Sequence, residues 1–124
     1  MKHFLRKYRF ENYTPHQVNL YDGEGRHILF SLPVQKNAGQ NVKVRVEEHV
    51  ESVDRIAGIP VVRKTYGAVQ GLPDPKEGVI YIVSNVVLQA LKNSRDDLLC
   101  PDTGEDSVVR DGEGNICGVR RLQC

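Results

Sequence analysis

Two stretches near opposite ends of the chain are near copies, Val18-Asn19-Leu20-Tyr21-Asp22-Gly23-Glu24-Gly25 and Ser107-Val108-Val109-Arg110-Asp111-Gly112-Glu113-Gly114, each followed by another apolar run. The Asp-Gly pair in each supplies the positive φ of a tight reversal. Val18, Leu20, Ile28 and Phe30 flank the first, and Val108, Val109, Ile116 and Val119 the second, as short β-rich runs. Both predict β-hairpins, and a chain that begins and ends in hairpins is constrained towards an antiparallel, strand-dominated fold.

A chain of 124 residues carries one hydrophobic core, expected over residues 11–124. Residues 1–10 hold Lys2, Arg6, Lys7 and Arg9 with no acid, and predict a basic N-terminal arm. Asp96, Asp97, Asp102, Glu105, Asp106, Asp111 and Glu113 make the far end acidic. Such runs are most simply solvated faces; attraction between them across a subunit boundary predicts a homo-oligomer. The formal net charge of +1 argues against bulk electrostatic binding of nucleic acid, which needs a basic excess. Cys100, Cys117 and Cys124 are an odd number, and no apolar signal core opens the chain, so a reduced, cytoplasmic protein is expected. The longest apolar run, Val79 to Leu91, is broken by Ser84 and Asn85, so no membrane partner is expected.

Between the hairpin signatures, Val42, Val44 and Val46 alternate with Lys43, Arg45 and Glu47, the period of a half-buried strand. Val50–Ile56 and Ile59–Tyr66 flank Ala57-Gly58, a two-residue hairpin connection with Pro60 confined to an edge or strand end. Residues 32–41 and 71–78, rich in Pro, Gly and Asn, read as loops. The periodicity changes once. Val79 to Val83 forms a buried strand, and Val86, Val87, Ala90 and Leu91 recur at helical spacing behind Ser84, a natural N-cap. The expected architecture is α+β: mostly antiparallel β-hairpins with one short packed helix over residues 84–92, then a strand at Leu98 to Cys100 stopped by Pro101.

The candidate chemistry is dispersed. Pro15 restricts Thr14 and presents His16 at a strand entrance, as a general base, as a donor to an anion, or simply as a partner of local backbone groups. Ser84 and Asn85 open the helix, where an anion can dock, although capping alone explains the serine. If the strand after the helix runs parallel to the one before it, residues 101–104 share an edge with Ser84, where open α/β arrangements bind ligands. Arg95 and Arg110 offer guanidinium contacts to phosphate, or else pair with the nearby carboxylates, and Tyr66 offers a ring for stacking. Calcium-loop spacing, zinc-ligand spacing, glycine-rich phosphate loops and the serine-hydrolase elbow are all missing, so neither a metal nor a cofactor is expected.

Asn12-Tyr13-Thr14-Pro15-His16, Tyr66-Gly67-Ala68-Val69-Gln70-Gly71-Leu72-Pro73, Tyr81-Ile82-Val83-Ser84, Arg95-Asp96-Asp97 and Val109-Arg110-Asp111 with Gly114 occur in that order. The order resembles a family of small uncharacterised phage and bacterial proteins with the pattern N-x-T-P-H, Y-G-x-V-x-G-L-P, I-V-S and V-R-D. The basic extension before Glu11 and the longer 102–107 segment depart from it. The resemblance implies a phage or mobile-element setting and no mechanism. Two functional classes follow. One is an accessory protein that captures a nucleotide-like or other small anionic ligand through Thr14, His16, Tyr66, Ser84, Asn85, Arg95 and Arg110, and so counters a host defence. The other is a hydrolase of such a ligand, with His16 as base oriented by Asp96 or Asp97. A protein-interaction module without a ligand is the third alternative. The cysteine pattern has a direct consequence: replacing all three by alanine or serine leaves a folded domain, weakened most at Cys100, and a thermal melt followed by circular dichroism checks it.

Overall fold

The computed structural model describes residues 8–124. Lys2, Arg6 and Lys7 of the expected basic arm lie outside the described residues, whereas Arg9 and Phe10 are already part of a sheet. The strands are β1 (Arg9–Asn12), β2 (Val18–Tyr21), β3 (Ile28–Leu32), β4 (Lys36–Asn37), β5 (Gln40–Asn41), β6 (Arg45–Ile56), β7 (Ile59–Gln70) and β8 (Val79–Ile82). The helix α1 (Asn85–Leu91) follows, then β9 (Leu98–Pro101), β10 (Val108–Arg110), β11 (Ile116–Val119) and β12 (Leu122–Gln123). The protein is a strand-rich α+β fold with one short helix.

Pairing departs from an all-hairpin arrangement. One four-stranded sheet has the order β1-β8-β9-β12 and the other β10-β11-β2-β3. β1 and β9 both run parallel to β8, and β11 runs parallel to β2, so both sheets are mixed. The reason is visible in β8: Val79, Tyr81 and Val83 face one core cluster and Ile80 and Ile82 the other. A strand buried on both faces cannot carry the polar alternation of an exposed hairpin, and a parallel central position accommodates it. The β1-β8-β9-β12 sheet is therefore the middle layer. On one side it meets the second sheet through Ile82, Leu99, Val18, Leu20, Val108 and Val119. On the other it meets α1, through Val87 and Leu88, and the Val42, Val44, Val46 and Val69 region.

Both repeated turn signatures form hairpins, with one correction to the expected geometry. The positive φ falls on Gly25 (71°) and Gly114 (85°), not on the glycine following the aspartate. Asp22 and Asp111 instead anchor their loops with Oδ1, which accepts from the Arg26 amide in the first and from the Glu113 and Asn115 amides in the second. Each aspartate thus works as a side-chain mimic of a backbone turn. Residues 32–41, expected as loop, include the small β4–β5 hairpin. The Ala57-Gly58 reversal is as expected, both residues at positive φ (52° and 81°) between two twelve-residue strands.

Ser84 caps α1, its Oγ accepting from the Val87 amide at 3.4 Å. Beneath the helix, Tyr13 and Tyr81 pack with ring centroids 5.5 Å apart, and Tyr81 donates its hydroxyl to the Asp74 carbonyl. Burial raises both phenols above their ordinary 10.0, and for Tyr13 the hydrogen bond to Glu11 and that carboxylate's charge add to it. A group that holds its proton more tightly in the folded chain stabilises the fold fully below the unfolded pKa, and that contribution is lost as pH rises further. Burial raises the Cys100 thiol in the same way, so unfolding free energy from urea titrations should begin to fall at about pH 9 and fall further above about pH 10, and Tyr13→Phe should flatten the later part of the decline. A wild-type profile that stays level through about pH 11.5 would count against this account.

Candidate functional site

The parallel pairing of β1, β8 and β9 brings three chain segments to one edge. Residues after Asn12, after Ile82 and after Pro101 all leave the middle sheet at its carboxyl end, where crossover folds place their ligands. Here lies a cavity of about 400 Å³. One wall is Tyr13, Thr14 and Pro15 at the end of β1, with Ser84 and Val87 from the start of α1. The facing wall is the stretch 41–45, which joins β5 to β6, with Val34 beside it. Lys43 and Arg45 belong to this lining, and no aspartate or glutamate does.

The Tyr13–Pro15 wall is held by Asn12, only 1 % exposed. Its Oδ1 accepts from the Thr14 amide (2.9 Å) and the Thr14 hydroxyl (2.7 Å), while its Nδ2 donates to the carbonyls of His16 (2.8 Å) and Leu32 (2.9 Å). That uses the two donors and two lone pairs of a carboxamide in full. The Thr14 hydroxyl also lies 2.8 Å from the His16 carbonyl. The Asn-x-Thr-Pro-His run thereby builds one locked turn. Thr14 lends shape to the cavity, and its hydroxyl is already engaged.

The facing wall is held by close backbone packing. Gly71, at φ 92°, lies where a Cβ would collide with the Lys43 carbonyl oxygen. Only glycine permits both that dihedral and that approach. Val42 and Val44 pack inward on the core cluster around Tyr81 and Leu98. Lys43 and Arg45 alternate with these valines in sequence and are exposed. Neither has a carboxylate partner among the described residues.

The other expected contacts are placed apart from this cavity. Arg95 makes two bonds to Asp97 (3.0 and 2.7 Å), donates to the Pro73 carbonyl (2.8 Å) and stands 5.3 Å over the Tyr81 ring. It ties the 71–78 loop to the start of β9. Arg110 bonds Glu105 and the Gly114 carbonyl, closing the last hairpin. Tyr66 is on the exposed part of β7. Asn85, exposed beside the cap, accepts from the Gln89 side chain. His16 is exposed beyond the locked turn, and among the described residues neither Asp96 nor Asp97 shares a bond with it. Of the seven residues expected to bind a ligand, Thr14 and Ser84 line the cavity. Lys43 and Arg45 also line it; in sequence, period two marks 42–46 only as a half-buried strand and does not say what its polar residues face.

Among the described residues, no three His, Cys, Asp or Glu side chains gather to hold a metal ion, and no helix is long and apolar enough to cross a membrane. Cys100, Cys117 and Cys124 are free thiols. No family model, no curated protein and no solved structure matches the chain.

The carboxamide lock predicts its own mutants. Asn12→Ala strands buried amide and carbonyl groups and should cost about 2–4 kcal/mol in urea unfolding. Asn12→Asp keeps the shape but turns an acceptor towards two carbonyls, so it should destabilise at least as much. A tolerated Asp would show that shape alone matters there.

Proposed function

We propose that the protein captures a small anionic ligand of the nucleotide class in the cavity at the carboxyl edge of the middle sheet. The observation that carries this reading is the cavity's make-up: about 400 Å³, apolar walls from Val34, Val42, Val44 and Val87, and Lys43 and Arg45 with no carboxylate against them. Its volume lies in the range of small-molecule sites, which combine apolar walls with a few placed polar groups. A planar apolar body suits the valines and Tyr13, and a charged end suits the lysine and arginine, the latter by a bidentate fork. The resemblance to phage and bacterial proteins sets such capture in a phage or prophage context, as an accessory protein that sequesters a host signalling molecule in the cytoplasm.

Binding is tested by titrating a panel of mono-, di- and cyclic nucleotides in a calorimeter. For the ligand that binds, Lys43→Ala and Arg45→Ala should each weaken affinity by about 1.5–3 kcal/mol, the range for hydrogen bonds to charged groups. Arg110→Ala, at the far hairpin, should change nothing. The ligand recovered after denaturation should be chemically intact; recovery of a converted product would favour the hydrolase reading instead. Absence of binding heat across the panel, and of any retained small molecule in native mass spectra of freshly purified protein, would overturn capture.

A further inference from the structure

Arg45 borders two cavities. Beside the one already described, a second of about 300 Å³ lies at the base of the β6–β7 ribbon, lined by Arg45, Val46, Glu47, Ala68 and Gln70. Local register builds it. Arg45 pairs with Gln70 and Val46 with Val69, but the next paired residues are Glu48 and Tyr66, so Gly67 and Ala68 together stand against Glu47. Such a bulge re-aims the side chain beside it. Val46 and Val69 pack on the core, which leaves Arg45 and Gln70 on the other face of the ribbon. Gly67 makes room for the carboxylate there, since a Cβ on it would lie 3.2 Å from Glu47 Oε2. The other carboxylate oxygen is 2.8 Å from His49 Nε2, and Glu47 is thereby held against the bulge.

The two cavities differ in what they suit. The first combines apolar walls with Lys43 and Arg45 and has no carboxylate in its lining, which suits an anion joined to an apolar ring. The second sets Glu47 beside Arg45, and an ionised carboxylate only accepts hydrogen bonds. A phosphate there meets a like charge, whereas a neutral group with N–H donors does not. Gln70 offers a donor and an acceptor side by side, the bidentate partner of an adenine edge, and a glutamate suits an exocyclic amine. A ligand that spans Arg45 therefore places its phosphate at the guanidinium and carries a second, amine-bearing base beyond it.

We propose that the captured ligand is an adenine dinucleotide, its phosphodiester held by Arg45 and its two nucleosides divided between the two cavities. The assignment rests on the capture reading and specifies the ligand of that site. Calorimetric titrations of the full chain compare adenosine monophosphate with the linear and cyclic diadenosine dinucleotides. At least one dinucleotide should bind about tenfold or more tighter than the mononucleotide, because its second unit then binds as an intramolecular event. Glu47→Gln and Gln70→Ala should each weaken that dinucleotide about threefold or more and leave the mononucleotide unchanged, while Arg45→Ala should weaken both. Gln70→Glu serves where Gln70→Ala loses its native circular dichroism, and should weaken the dinucleotide in the same direction. Equal affinity for the mononucleotide and both dinucleotides overturns the inference and leaves capture standing, as does a dinucleotide preference that ignores both Glu47 and Gln70. A nucleoside diphosphate sugar that binds more tightly than either dinucleotide assigns the second cavity to a sugar and overturns it equally. Absence of binding by every nucleotide overturns capture and this inference together.

Discussion

The side chain of Asn12 is the joint on which the architecture turns. Its backbone belongs to β1 in the middle sheet, and its carboxamide reaches Leu32 at the end of β3 in the second sheet. One buried group therefore couples two layers whose shared core cluster is apolar and without direction. Hydrophobic packing between sheets tolerates small slips, but a carboxamide with four partners has one arrangement that satisfies all of them. The same group shapes residues 13–16, so the lock that holds the layers together also sets one wall of the cavity.

From that joint, the uses of the polar residues divide clearly. Arg95 and Arg110 are committed to internal carboxylates and carbonyls, closing the 71–78 loop and the last hairpin. The largely buried Arg95 guanidinium needs such partners, because an unpaired charge away from water is costly. Lys43 and Arg45 escape this demand by being exposed, between valines that pack on the core. Their freedom follows from the alternation that anchors the wall. The ribbon beyond shows the same alternation with nothing beneath it, which leaves Val50, Val62 and Tyr66 in water.

The local features were legible because each depends on near neighbours in sequence. Ser84 before an apolar helical stripe specifies the start of α1, and Ala57-Gly58 specifies a reversal that holds both flanking strands in register. The repeated Asp-Gly signature announced two hairpins, although the strained glycine proved to be Gly25 and Gly114, because the aspartate carboxylate closes a longer loop than a two-residue turn. Cys100 beside Leu98 and Leu99 read as core from composition alone and is buried.

The candidate site lay beyond that reach, since it joins residues 13–15, 34, 41–45, 84 and 87, which only the strand order makes neighbours. Whether β9 returns parallel to β8 is decided by burial of both faces of the middle sheet, a property of the assembled layers and not of any one strand. Local propensity and period thus determined the helix, its cap, the hairpin turns and the inward face of residues 42–46. Tertiary packing decided the mixed pairing of the sheets, the bond from Arg95 to the Pro73 carbonyl, and the meeting of Lys43 and Arg45 with Thr14 and Ser84. The physical reason is range: turns and caps are satisfied within a few residues, whereas buried polar groups and two-sided strands find their partners only when distant segments close around them.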